Sequence, residues 1–399
     1  MLRIQTNKQL PGISASLSHN TAQKIKNTQP PAFQQTKPDL NEIKNRSKKY
    51  KSYKNIILIG SGGSRTNAWA FYHSLFLKRN KTNFEFLSSA EPELIANFKK
   101  KYQKKDTLVL IISKSGDNIN ALEPLFFFLN YPVLVITGET NNTLSQIAAT
   151  MQWDTIAHPE VGGRFSGMTS CGLVPAYLMG LDINELYKGA AKGYQRYAAN
   201  ISIKDNPALQ LAAYLAQLEK NGYTEIFTSI YSSSLFAFLP LIIQLIHESS
   251  GKDNKGQTIF GDYSPESQHH TNQRFFGGQK NVIGLFMEVE NHPVDQTIKL
   301  PKKLTSIVYK NQPLQKLTGI KTSDCMRFDL EGVFNNALKK QIPCARITLK
   351  EITERSLGEF MVFWHYAAVY SALLRDQNPF DQPEVEDAKN LSFELRINH

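Results

Sequence analysis

Cysteine is scarce. Only Cys171, Cys325 and Cys344 occur in 399 residues, too few and too widely spaced for a disulfide framework or a cysteine-based zinc site, and they read as buried thiols. The nine histidines include one adjacent pair, His269-His270, with neither HExxH nor CxxC spacing beside it, so no metal is expected. Long apolar runs are also missing. The longest, Leu235 to Ile246, stops at His247 and Glu248 and is too short to span a membrane. Met1 to Leu10 carries Arg3 and Lys8 but no apolar block or small-residue cleavage site, so it does not read as a secretory signal. A cytoplasmic location is the expectation.

An apolar content of 41% over this length allows two domains of ordinary size or one large two-lobed α/β unit. The net charge is +11, and residues 1–54 hold eleven basic side chains against Asp39 and Glu42, so that segment supplies +9 of the total. Concentrated in one arm, the charge suits a solvated leader; nucleic-acid binding through it is the less favoured reading. Pro11, Pro30, Pro31 and Pro38 predict that most of the leader, residues 1–50, is irregular.

Order is expected from Tyr53 onward. Asn55 to Ile59 reads as a buried strand, followed by Gly60-Ser61-Gly62-Gly63-Ser64 and a helical pattern from Arg65 to Leu77. Thr107 to Ile112 repeats the arrangement, running into Ser113-Lys114-Ser115-Gly116-Asp117-Asn118 ahead of a helix from Ile119 to about Asn130. Strand, small polar turn and helix in that order point backbone N–H groups at an anion. Two such turns in adjacent β-α units suggest one pocket at the carboxyl ends of parallel strands. The plain alternative is a helix cap by Ser115 or Asp117. Strand 132–138 and helix 143–151 continue the alternation.

Val161-Gly162-Gly163-Arg164-Phe165-Ser166 then places a permanent cation directly after two glycines that allow a close backbone approach. Helices are predicted over 183–197 and 206–218. A second α/β unit starts with strand 224–230, the turn Tyr231-Ser232-Ser233-Ser234 and helix 235–247. Strand 281–289, a poorly patterned stretch to about Pro343, strand 346–349 and a helix over 353–375 follow. Glu248 ends an apolar helix and is placed to act as a base. His269 lies in a polar loop, and Lys389 follows Pro379 and Pro383.

Several of these stretches together resemble the glucose-6-phosphate isomerase family, over about Asn55 to Phe393. Ile59 to Ser64 is similar to its GIGGS turn, Ile112 to Gly116 to its ISKSG loop, and Val161 to Ser166 reproduces VGGRFS, with Gly172-Leu173-Val174-Pro175 after it. Gln244 to Lys252 resembles the stretch holding the catalytic glutamate, and Asn378 to Lys389 the NPFDQPGVEAYK ending. The resemblance implies two sugar-isomerase lobes, each a parallel sheet flanked by helices in three α/β/α layers: residues 51–200 and 201–375, then a C-terminal segment 376–399 with an active-site lysine. It also implies reversible isomerisation of glucose 6-phosphate and fructose 6-phosphate, without a cofactor and in a homodimer. Glu248 would move a proton between C2 and C1 through a cis-enediol, Arg164 would stabilise the enediolate, and His269 with Lys389 would open the sugar ring. The histidine would cross from the partner subunit; spacing after Glu248 and the Gly277-Gly278 pair favour His269 over His270. Gly63, Ser64, Ser113, Lys114, Ser115, Asn118 and Gly163 would line the sugar-phosphate pocket. Asp117-Asn118 stands where the family has two threonines, and Asn272 where it has glycine. A catalytically weak, regulatory sugar-phosphate-binding protein with the same fold is the alternative.

Overall fold

The computed structural model describes residues 2–7, 23, 25–139 and 141–398. The first strand, β1 (Arg3–Thr6), belongs to the far end of the chain and is taken up below. Strands β2 (Asn55–Ile59), β3 (Asn83–Leu87), β4 (Thr107–Ser113), β5 (Val133–Thr137) and β6 (Asp154–Ala157) form an all-parallel sheet in the order β3-β2-β4-β5-β6. A strand buried on both faces sends alternate side chains into two different cores. Ile56, Leu58, Leu108, Leu110 and Ile112 enter the central core, while Ile57, Ile59, Val109 and Ile111 pack outward under the helices Pro92–Lys101, Ile119–Phe126 and Thr143–Thr150.

The second sheet repeats this topology. Strands β7 (Glu225–Ile230), β8 (Thr258–Tyr263), β9 (Val282–Val289) and, beyond the short hairpin β10 (Val308–Tyr309) and β11 (Gln312–Pro313), β12 (Cys344–Leu349) run parallel in the order β8-β7-β9-β12. The fifth position is filled by β1, antiparallel to β12 with Arg3 opposite Thr348. The leader expected to be irregular thus supplies an edge strand and a helix, Leu40–Ser47, capped by Asp39. Its residues 1, 8–22 and 24 lie outside the described residues.

Other departures have local causes. The predicted helix from Leu235 divides into Ser233–Phe236 and Leu239–Ser250, because Pro240 can sit in the first turn of a helix and not in its interior. The poorly patterned stretch contains an 18-residue helix, Thr322–Lys339, of which only Leu330, Val333, Phe334 and Ala337 are buried, against the outer face of the second sheet. Cys171 and Cys344 are buried as expected, whereas Cys325 is half-exposed. Among the described residues, no helix is long and apolar enough to cross a membrane, and no cluster of three or more His, Cys, Asp or Glu side chains is placed to hold a metal.

The helix Glu354–Leu373 runs through the centre, buried on nearly all sides from Leu357 to Ala372. It packs most extensively on the helix Ile183–Arg196. The contact is backbone to backbone: a Cβ at Gly358 would lie 2.0 Å from the Leu186 carbonyl oxygen, and one at Gly189 would lie 1.9 Å from that of Arg355. Gly358→Ala therefore forces the two helices apart, and we expect a loss of about 1–3 kcal/mol of stability in urea unfolding; a midpoint unchanged from wild type would contradict this packing.

Candidate active site

Two glycine turns interlock at the heart of the first lobe. Gly62, at φ +56°, ends the turn after β2 and leads into the helix Gly63–Ser74. Gly63 is pressed onto the second turn so closely that a Cβ there would fall 2.0 Å from the Gly163 carbonyl oxygen and 2.5 Å from the Arg164 nitrogen. Asn67, one helical turn on, donates to both carbonyls, Gly63 at 2.7 Å and Gly163 at 3.1 Å. The second turn continues as a 3-10 helix, Gly163–Met168, which carries Arg164.

Arg164 is 3% exposed, and every N–H of its guanidinium has a partner. Nε donates to Ser249 Oγ at 3.0 Å, and Nη1 donates to Glu248 Oε2 at 3.0 Å and Gln382 Oε1 at 2.8 Å. Nη2 donates to the Pro379 carbonyl at 2.7 Å and that of Asp381 at 3.2 Å. Burial pulls the guanidinium below its usual pKa, and the carboxylates of Glu248 and Asp381 oppose that pull. Glu248 stands at the end of the helix Leu239–Ser250 with its side chain 32% exposed. Its other oxygen accepts from Gln244 Nε2 at 2.9 Å, four residues earlier on the same helix face. Gln244 is itself fixed, accepting from Thr66 Oγ1 at 3.0 Å. The carboxylate is thus held by one donor on each oxygen, with an open side toward solvent.

The second polar turn, after β4, folds on itself. Ser113 Oγ accepts from Gly116 N, and Ser115 Oγ from Asp117 N. The predicted cap by Ser115 or Asp117 is made instead by Asn118, whose Oδ1 accepts from Asn120 N at 3.1 Å. Asp117 turns to the neighbouring helix, accepting from Thr143 N at 3.0 Å. Lys114 meets Glu160 at 2.9 Å and remains partly exposed. Ser64 and Ser113 are buried.

The other two predicted residues lie apart from this cluster in the chain. His269 ends the 3-10 helix Glu266–His269, exposed, in a groove of about 490 Å³ shared with Gln273, Phe276, Asp329 and Asn336. Among the described residues its side chain makes no hydrogen bond, whereas His270 is engaged by Thr271 and lies 3.4 Å from Asp262. Lys389 lies on the exposed helix Glu386–Ile397 and pairs with Glu386 at 2.7 Å. What the NPFDQP stretch delivers to Arg164 is its backbone and Gln382, not the lysine beyond it. Sequence reasoning missed Gln382, Gln244 and Lys252. The i, i+4 spacing to Glu248 was the available signal for Gln244; for Gln382 and Lys252 no local signal exists.

With this geometry in place, the class is that of two-lobed α/β proteins with paired sugar-isomerase-type sheets. Among solved structures, a hypothetical protein from Thermus thermophilus superposes with a TM-score of 0.88 at 23% identity, covering 99% of both chains. A glucose-6-phosphate isomerase from Chlamydia trachomatis superposes with a TM-score of 0.73 at 19% identity, covering 94% of this chain and 77% of that one. In sequence, the glucose-6-phosphate isomerase of Methanocaldococcus jannaschii is 29% identical over 361 residues, 87% of this chain and 86% of the relative. Residues 147–398 match the phosphoglucose isomerase family. The chain belongs to that family.

Lys252, 7% exposed, grips the same C-terminal segment from the other side. Its Nζ donates to Asp381 Oδ1 at 2.5 Å and to the carbonyls of Asp381 and Asn378. This ammonium holds the Asp381 carboxyl below the ordinary carboxylate range. The pair is therefore complete above the unfolded value and is lost as pH falls through the lowered one. Lys252→Met should raise amide hydrogen exchange over residues 378–382 about tenfold, the effect of losing roughly 1.5 kcal/mol of charge-assisted hydrogen bonding. Unchanged protection there would show that Arg164 alone holds the segment.

Proposed function

We propose that this protein interconverts glucose 6-phosphate and fructose 6-phosphate, with Glu248 as the base that carries a proton between C2 and C1. The observation that carries the reading is the Arg164–Glu248 contact: a buried cation 3.0 Å from a carboxylate that keeps an open side. An aldose-ketose exchange needs a base beside two adjacent carbons and positive charge beside the enediolate that forms between them. A fixed guanidinium about 4 Å from developing negative charge contributes about 4 kcal/mol at an effective dielectric of roughly 20, close to a thousandfold in rate. Because its N–H groups are already engaged, Arg164 acts here through its charge and by orienting Glu248. Direct donation to substrate would require Gln382 or a carbonyl of the 379–381 segment to let go.

The phosphate would be received by the turn Ser113 to Asn118, with Lys114 as its cation and Ser64 and the Gly63 and Gly163 backbones toward the sugar. Asp117 accepts from Thr143 N at 3.0 Å, which turns its carboxylate to the N-terminus of the neighbouring helix, where the helix dipole partly offsets its charge. Ring opening is given to His269 and Lys389. Neither meets Glu248 within one chain, and both are exposed, which supports a homodimer in which His269 is contributed across the interface. The reaction asks for no cofactor, and a cytoplasmic enzyme is part of this reading.

The test is formation of glucose 6-phosphate from fructose 6-phosphate in a coupled assay. Wild type should turn over, Glu248→Gln should lose about 10²- to 10⁴-fold in kcat, and mixing Glu248→Gln chains with His269→Ala chains should restore part of the activity. A folded wild-type protein that binds fructose 6-phosphate without turnover would overturn the enzyme reading in favour of a regulatory one.

A further inference from the structure

Arg164 has a floor as well as a rim of acceptors. Its guanidinium lies over the ring of the next residue, Phe165, with Cζ 5.1 Å from the ring centre. Other rings hold that one in place. Phe33, on the short helix Ala32–Gln35 of the leader, stacks on it with 5.3 Å between centroids and 17° between planes. His365, on the central helix, lies 5.2 Å from Phe33 and 5.6 Å from Phe165, and Tyr366 meets Phe33 edge-on at 5.3 Å. Phe33, Phe165, His365 and Tyr366 are each at most 2% exposed. Among the described residues neither ring nitrogen of His365 has a hydrogen-bond partner. Burial pushes its pKa down to about 3, so the imidazole is neutral at neutral pH and is held by packing alone. Phe165 also meets Phe380 edge-on at 5.6 Å, and Phe380 stands between Pro379 and Asp381, whose carbonyls accept from Arg164.

We propose that Phe33 is a positioning residue for Arg164: its ring sets the tilt of Phe165, and Phe165 sets the height and tilt of the guanidinium, so that the leader completes the active site. The N–H groups of a guanidinium lie in one plane, so its hydrogen bonds fix the group mainly within that plane. Displacement out of the plane is resisted by the aromatic face it rests on. Aromatic pairs prefer offset-stacked and edge-on arrangements, so each ring fixes the orientation of the next. Phe165 can offer no side-chain hydrogen bond, and His365 makes none, so the position of both rings depends on what fills the space around them. Phe33 fills it. The leader is in turn fastened at this point: Pro31, at φ −62° and ψ 153°, leads extended into the helix, and the Tyr366 hydroxyl donates to Gln34 Oε1. The residue beside Phe33 is thereby tied to the same central helix that carries His365. Phe33 touches none of the reacting atoms and acts only through Phe165.

The kinetic half of this inference rests on the isomerase reading; the exchange half does not. Phe33→Leu keeps an apolar side chain in the space but loses the flat face. In the full-length protein it should lower kcat for fructose 6-phosphate about 10-fold while KM stays within about twofold, because Arg164 opposes charge that is present only in the transition state. Phe33→Ala leaves an apolar, ring-lined cavity of the kind that takes up benzene. Benzene should raise its thermal midpoint and recover kcat, with no effect on wild-type kcat. A Phe33→Leu kcat equal to wild type overturns the positioning role, as does benzene that raises the Phe33→Ala midpoint and leaves kcat low. If wild type proves to have no isomerase activity, the reading above fails and amide exchange decides the inference. Phe33→Leu should then lose about tenfold in protection over 162–166 relative to Glu225–Ile230 in the second sheet, and protection equal to wild type overturns it. The leucine variant decides alone where the alanine variant does not fold.

Discussion

The structure turns on one guanidinium. Arg164 is buried, and a buried arginine is tolerated only when its donors are satisfied and its charge is balanced. Glu248 supplies the balance, and the donors are met by groups from two distant parts of the chain: Ser249 and Glu248 at the end of one helix, and Pro379, Asp381 and Gln382 near the C-terminus. The first lobe, the second lobe and the closing segment thereby meet at a single side chain. The glycine pair before it follows from the same requirement, because bringing Arg164 this deep presses Gly163 onto Gly63, where a side chain would strike the Gly163 backbone.

That arrangement sets Glu248, the base proposed above, apart from the other carboxylate buried near the centre. Glu359 is also buried, but Lys192, Arg196 and the Tyr197 hydroxyl close around it, and burial is outweighed by those partners in holding its carboxyl low. It fastens the N-terminus as well, since Arg196 donates to the Leu2 carbonyl beside β1. Glu248 has one donor on each oxygen and an open side. One carboxylate is enclosed as a structural anchor, and the other is oriented and left accessible.

Much of this was legible in the sequence where the signal is local. Uniformly apolar β-branched runs such as Asn55–Ile59 and Thr107–Ser113 announce strands buried on both faces, and they lie where expected. Edge strands do not announce themselves: Asn83–Leu87 mixes apolar and polar residues and is only partly buried at Asn83, Glu85 and Phe86, and Thr258–Tyr263 is interrupted by Gly261. Thr322–Lys339 was invisible as a helix because so few of its residues are buried. At the site, motifs located Arg164, Glu248 and the polar turns. They could not say that Gln382 rather than Lys389 reaches Arg164 in the single chain, since that depends on contacts more than two hundred residues apart.

If Arg164 acts by organising rather than by touching substrate, its effect must run through its partners, and a double-mutant cycle on kcat/KM reads that coupling directly. The variants are Arg164→Lys, Gln382→Ala and the pair together, assayed for conversion of fructose 6-phosphate, with thermal unfolding as the control for folding. Lysine keeps the charge but loses the planar set of donors. The account predicts that once Arg164 is lysine, removing the Gln382 amide costs little more, so that the double variant falls within about threefold of Arg164→Lys. Losses that multiply across the two sites would contradict it and assign Arg164 and Gln382 independent roles.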